Sequence, residues 1–204
     1  MVVGGGEVAE RKVERLIECG AEVAVIGREL TKLLASMKNA GMITHILDEY
    51  RSEYIEGAFL VVGATDSDVV NETIYADAKK KGILVNIVDD PARCDFIVPA
   101  IMQRGDLAIA ISTGGKSPAL ARTLRERLEE QYGAEYGIFL DIMGQLRGRI
   151  IARGMSPEEN KKIFESLVNS NIIDSIKEKD WGRVRKLIVE LADEELGMSF
   201  FHDY

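Results

Sequence analysis

The chain opens Met1-Val2-Val3 and turns at once through Gly4-Gly5-Gly6-Glu7-Val8-Ala9 into a helical pattern with Val13, Leu16 and Ile17 on one face. No other stretch restricts the fold as strongly. In the spacing Gly4-x-Gly6-x-x-Ala9, small residues permit a tight turn, let backbone approach a pyrophosphate, and let the helix pack closely on the strand. The helix N-terminus then faces the phosphates with unpaired N–H groups. The pattern predicts dinucleotide binding, against the alternative of a purely structural glycine turn. Only three residues precede Gly4, which is short for a full central strand and raises the expectation of a late or displaced start.

The alternation that follows extends this unit into a sheet. Gly20 stops the first helix and Ala21 to Ile26 reads as a short buried strand. A helix is expected near Glu29 to Asn39, then strands at Met42 to Leu47 and Phe59 to Ala64, a helix from Ser67 to Lys81 stopped by Gly82, and a strand from Ile83 to Val88. Strands that are apolar on both faces and alternate with helices indicate an α/β domain with a parallel sheet covered on both sides. Leu107 to Ser112 reads as a last strand of that sheet.

Beyond it the pattern is helical, interrupted near Gly133 and Gly154. Ser156-Pro157-Glu158-Glu159 is a helix start, with Ser as N-cap, Pro at the first helical position and an acidic first turn. Trp181, Val184, Leu187, Ile188 and Leu191 form an apolar helical face suited to a core or a dimer contact rather than a cofactor. The expected organisation is a Rossmann-type domain over residues 1–112, a linking segment over 113–150, and a small helical domain over 151–204.

Composition narrows the class. With 204 residues, 46% hydrophobic and 29% charged, the chain can bury a sizeable core. No apolar run approaches the roughly 20 residues of a membrane helix, and no signal-peptide pattern opens the chain. A soluble, cytoplasmic protein is expected. A net charge of −8 argues against general nucleic-acid binding, though not against a local basic pocket for a small anion. Cys19 and Cys94 are the only cysteines, without a CxxC pair or clustered histidines, so packed thiols are expected rather than a metal site or disulfide. His45, in an early strand, and His202, in the tail, read as incidental.

Three segments carry candidate chemistry. After the second strand, Arg28 suits a ribose 2′-phosphate and Glu29 suits the ribose hydroxyls, leaving cofactor choice open on these residues. After the strand Ile83 to Val88 comes Asp89-Asp90-Pro91, where a carboxylate faces the crevice of an open sheet; Asp89 is a candidate general base, and a turn or cap is the structural alternative. Ser112-Thr113-Gly114-Gly115-Lys116-Ser117-Pro118 can present N–H groups and hydroxyls to an anion, and Lys116, Arg122, Arg125 and Arg127 follow against a single Glu126. A solvated basic face explains the latter equally well.

Taken in order, Gly4 to Lys12, Gly63-Ala64-Thr65-Asp66, Asn86-Ile87-Val88-Asp89, Phe96-Ile97-Val98-Pro99-Ala100, and Ser112 to Pro118 with Ala121-Arg122 resemble the siroheme synthase N-terminal family, which comprises precorrin-2 dehydrogenase and sirohydrochlorin ferrochelatase. The resemblance is strong over residues 1 to 130 and loose over the helical tail. It implies an NAD-binding Rossmann domain, a dimerisation segment and a small helical domain, assembled as a homodimer. It implies NAD contacts at Gly4, Gly5, Gly6, Glu7, Val8, Arg28, Glu29, Ala64, Thr65 and Asp66, and places the family's essential aspartate at Asp89. Because family members also lack the usual acidic residue after the second strand, it moves the reading of Arg28 toward NAD. Ser112, Thr113, Gly114, Gly115, Lys116, Ser117 and Arg122 become candidates for binding a tetrapyrrole substrate rich in carboxylates. Thr113 stands where some members carry a phosphorylatable serine. No methyltransferase follows Tyr204, so a separate enzyme is expected to supply precorrin-2.

The activity so implied is NAD-dependent oxidation of precorrin-2 to sirohydrochlorin, extending to iron insertion in those family members that also chelate. Two rivals stand beside it. A non-catalytic NAD-sensing module explains the glycine turn and acidic charge but not Asp89 or the Ser112 segment. An ordinary dehydrogenase of a small substrate lacks a catalytic histidine, lysine or tyrosine constellation here.

Overall fold

The computed structural model describes the backbone of residues 1–204 and every side chain except those of Met198, His202 and Asp203, so His202 lies outside the described side chains. The chain forms two compact units, Met1–Val98 and Pro99–Tyr204.

In the first unit, strands β1 (Val2–Val3), β2 (Val23–Ile26), β3 (Ile43–Ile46), β4 (Leu60–Gly63) and β5 (Leu84–Ile87) form one sheet in the order β3-β2-β1-β4-β5. All pairings are parallel. Helices α1 (Glu7–Glu18), α2 (Lys32–Asn39) and α3 (Asp68–Lys81) connect them. The strands read as apolar runs because both faces of the sheet are covered, one by a cluster around Val13, Val25 and Leu34, the other by Ile26, Ile74 and Ile87. Short as it is, β1 pairs on both sides, Val2 with Val25 and with Val62. The Met1 amine donates to Leu60 O at 3.0 Å, and burial lowers its pKa. The strand order reverses at β1, so the crevice between β1 and β4 opens at the carboxyl ends of the strands.

Helix boundaries follow the capping residues. The second helix begins at Lys32 rather than near Glu29 because Thr31 caps it, accepting from Leu34 N at 3.2 Å. Ser67 caps α3, and Gly82 in the left-handed region ends it behind Lys79, Lys80 and Lys81.

The second unit begins with β6 (Ala100–Arg104) and β7 (Leu107–Ile111), an antiparallel hairpin. Here the structure corrects the sequence reading: Leu107 to Ile111 is a strand, but it pairs with Ala100 to Arg104 across the two-residue turn Gly105-Asp106 and does not join the parallel sheet. A two-residue connection holds antiparallel neighbours, whereas a parallel partner needs a long crossover. Helices α4 (Pro118–Gln131), α5 (Glu135–Ala152), α6 (Pro157–Val168), α7 (Ile172–Lys177) and α8 (Trp181–Ala192) follow. Ser156 and Glu159 form a reciprocal capping box at α6. Val184 and Ile188 are fully buried with Leu146, Ile150 and Leu167, and Trp181, Leu187 and Leu191 pack on that core, so the apolar face of α8 is structural. Among the described residues no helix is long and apolar enough to cross a membrane.

Candidate active site

A cleft of about 780 Å³ lies at the carboxyl ends of the strands in the first unit. Gly4, Gly5, Gly6, Glu7 and Val8 line it from the β1–α1 turn, Arg28 and Glu29 from the end of β2, and Ala64, Thr65 and Asp66 from the end of β4. Asp89, beyond β5, lines the same cleft. Four separate loops thus bring the expected cofactor residues and the expected base to one cavity.

The glycine turn is built by close backbone approach. Gly4 has φ +118°, and a Cβ there would sit 2.2 Å from the Ala64 carbonyl oxygen. At Gly5 a Cβ would sit 1.9 Å from the Glu29 carbonyl oxygen. Gly6 differs: a Cβ there meets nothing within 4 Å. Gly4 N donates to Ile26 O at 2.8 Å and Thr31 N donates to Gly5 O at 3.0 Å, which fixes the turn against β2 and its following loop. Gly6 is the N-cap of α1 and has no side chain to cap the helix, so the first-turn N–H groups are left for an anion in the cleft. Space beside Gly6 together with those donors fits a dinucleotide pyrophosphate.

Several residues that the sequence reading passed over hold this frame. Gly27, Leu30, Thr31 and Val88 also line the cleft. Thr31 Oγ1 donates to Glu10 while capping α2, joining the starts of two helices. Buried Asn71 donates from Nδ2 to Thr65 O at 2.9 Å and accepts from Thr65 Oγ1 at 2.9 Å, fixing the β4–α3 loop. His45 is structural: its Nε2 lies 2.8 Å from Gly27 O, so the tautomer assigned by that carbonyl carries the proton on Nε2. The sequence offered a signal only for Asn71, a polar residue in an otherwise core-facing register of α3.

Around the end of β2, Arg28 is not an isolated cation. Its guanidinium lies 2.9 Å from the Glu49 carboxylate, supplied by the loop after β3. That loop is fixed by Asp48, which accepts from Tyr54 OH at 2.5 Å and from Glu49 N at 2.8 Å. The Tyr54 hydrogen bond is the main cause of the lowered Asp48 pKa, and the Arg51 guanidinium adds to it.

Asp89 is exposed and adopts φ +61°, a left-handed conformation uncommon outside glycine. Asp90 provides the turn's cap, accepting from Ala92 N at 3.1 Å and Arg93 N at 3.3 Å, and the Arg93 guanidinium beside it holds its carboxyl below the usual range. The two aspartates therefore differ: Asp90 caps the turn, and Asp89 is left exposed at the lining of the cleft. The Cys94 Sγ lies 3.2 Å from Ile87 O and 3.0 Å from Asp90 O, and burial raises its pKa, as expected for a packed thiol. Cys19 departs from that expectation. It is exposed, because it sits at the C-cap of α1 where the chain turns away at Gly20. No group of three potential metal ligands occurs among the described residues.

The expected substrate residues Ser112 to Ser117 and Arg122 are grouped in the second unit, on the β7–α4 turn and the start of α4. The turn is internally braced: Gly114 N donates to Ser112 Oγ at 3.2 Å, Ser117 N to Thr113 Oγ1 at 3.1 Å, and Ser117 Oγ caps α4 at Leu120 N. On α4, Arg122 pairs with Glu126 at 2.9 Å and Arg125 pairs with Glu129, so part of the basic face is neutralised within the helix.

Comparison with known proteins agrees with this arrangement. Residues 1–100 match a family model for NAD(P)-binding domains, and residues 104–131 match the central-domain model of sirohaem biosynthesis proteins. The siroheme synthase of Actinobacillus succinogenes is 37% identical over 204 residues, all of this chain and 41% of that protein. Siroheme synthase 1 of Aeromonas salmonicida is 39% identical over 198 residues, 97% of this chain and 42% of that protein. The chain thus spans about two-fifths of the length of these relatives. Its fold is that of the solved structure of SirC, precorrin-2 dehydrogenase, with a TM-score of 0.79 over 95% of this chain and 93% of that one, at 23% identity. The NAD(P)-binding domain, the sirohaem-biosynthesis central motif and the similarity along the whole chain to siroheme synthases thus agree.

Proposed function

We propose that the chain is a precorrin-2 dehydrogenase, oxidising precorrin-2 to sirohydrochlorin with NAD as acceptor. The observation that carries the reading is Asp89, an exposed carboxylate on the same cleft as the glycine turn. The macrocycle loses a hydride and a proton in this reaction, which extends its conjugation. NAD, when bound, supplies the hydride acceptor. Asp89 takes the proton, the step that the protein itself must provide. The β1–α1 turn holds the pyrophosphate through backbone donors, and the rigid β4–α3 loop borders it opposite the end of β2.

NAD rather than NADP is favoured by the Glu49 carboxylate against Arg28. A 2′-phosphate brought to Arg28 would meet that carboxylate and Glu29 as well. The hydroxyl-rich turn Ser112 to Ser117, with Lys116 and Arg122, is assigned to the substrate carboxylates. A homodimer built through the segment 113–150 completes the proposal. Within that segment it is supported by the exposed apolar side chain of Leu120 on α4.

Absorbance during incubation with enzymatically generated precorrin-2 and NAD tests the activity. NAD-dependent appearance of sirohydrochlorin is expected. NAD binding without turnover would support the sensing module instead, and a further spectral change on adding ferrous or cobaltous ion would add chelation.

A further inference from the structure

Arg93 is the most heavily engaged cation of the first unit. From the short turn after β5, its Nε donates to Asp90, one terminal nitrogen donates to Asp68, and the other donates to Glu72 at 3.2 Å. Its side chain is only 18% exposed, although the Asp68 and Glu72 side chains are 81% and 61% exposed. The planar fork of a guanidinium can serve three carboxylates at once, and a lysine ammonium cannot reproduce that geometry. Asp68 and Glu72 lie on the first turns of α3, so the guanidinium ties the turn after β5 to that helix.

The tie encloses Asp89. Val88 N donates to Gly63 O at 2.9 Å on one side of it, and Asp90 N donates to Ile87 O at 3.2 Å across it. Asp90 then holds Ala92 N and Arg93 N through its own carboxylate. A non-glycine residue persists in the left-handed region only where its surroundings over-determine it. Here the surroundings are Asp90 and, behind it, Arg93.

We infer that Arg93 is a positioning residue for the Asp89 carboxylate, acting through Asp90 and anchored on Asp68 and Glu72 of α3. Removing the guanidinium leaves three carboxylates facing one another, so the turn opens rather than merely losing one contact. The inference rests on the dehydrogenase reading, in which Asp89 takes the proton.

The test compares wild type with Arg93→Ala and Arg93→Lys. In the cofactor-free protein, the amides of Asp90, Ala92 and Arg93 should exchange with deuterium about ten-fold faster in Arg93→Ala, with Arg93→Lys between, while β2 and β4 amides are unchanged. In turnover, kcat should fall about 10- to 100-fold with the KM for precorrin-2 and the Kd for NAD nearly unchanged. If Arg93→Ala does not fold, Arg93→Lys carries both measurements. Unaltered exchange in the turn, or unaltered kcat beside an active wild type, overturns the inference alone. An inactive wild type overturns the dehydrogenase reading and this inference with it.

Discussion

A Cβ on Gly5 would lie 1.9 Å from the carbonyl oxygen of Glu29, so the phosphate-binding turn rests directly on the backbone that follows β2. Gly4 is equally confined, against Ala64 O, whereas Gly6 opens on the cleft. The three adjacent glycines should therefore separate in their effects. Gly4→Ala and Gly5→Ala should each cost about 2 kcal/mol or more of stability, because backbone rather than a movable side chain must give way. Gly6→Ala should cost no more than about 1 kcal/mol, the difference between glycine and alanine at an N-cap. It should weaken NAD binding about ten-fold, roughly 1.4 kcal/mol. Denaturant unfolding and calorimetric titration check the two halves.

Asp89 at φ +61° makes a prediction that separates function from folding. An alanine there retains the left-handed strain, about 1 kcal/mol, and a glycine relieves it. Asp89→Gly should be the more stable of the two by about that amount, and both should lose oxidation of precorrin-2 while still binding NAD. Thermal unfolding of the pair measures the strain. A glycine variant less stable than the alanine would contradict the strained backbone at this position.

The proposed preference for NAD rests on the contact between Arg28 and Glu49. Glu49→Gln frees the guanidinium and removes a negative charge, so affinity for NADP should rise about ten-fold relative to NAD, roughly 1.4 kcal/mol. Arg28→Ala in the same background should abolish that gain. Parallel titrations with the two nucleotides decide it, and an unchanged ratio in Glu49→Gln would assign the preference to other residues.

Acid should weaken the first unit through its turn after β5. Asp95 is held below its usual pKa by Lys79 Nζ at 2.7 Å and by Val85 N at 3.1 Å, and Asp90 is held below by Arg93. A carboxylate depressed in the folded state contributes stability above its unfolded value and loses it as pH falls through the folded one. Stability should therefore be level from neutral pH down to about the ordinary aspartate value of 3.8 and decline below it. Asp95→Asn should flatten part of that decline in unfolding measured across pH.

Much of this was legible in the sequence because local signals and tertiary demands coincide. The glycine turn, the apolar strands and the cap at Ser156 each mark an element by its own residues, and the cofactor candidates gather because they all follow strands of one parallel sheet. What escaped depends on partners distant in the chain. Arg93 reads as one more surface cation until α3 brings Asp68 and Glu72 to it, and Glu49 is an ordinary acidic loop residue until β3 sets it beside Arg28. The hairpin of β6 and β7 was missed in part because Leu107 to Ile111 is apolar enough to resemble the buried parallel strands before it.

In the proposed reaction, Asp89 and the nucleotide cleft act together on precorrin-2. The most direct test is a paired time course of sirohydrochlorin and NADH formation by wild type and by Asp89→Gly, with NAD binding measured on both. Wild type should form the two products in equal amounts and the variant neither, although the variant binds NAD as well. Equal turnover by the variant would contradict the role of Asp89, and NAD binding without product from wild type would contradict the dehydrogenase itself.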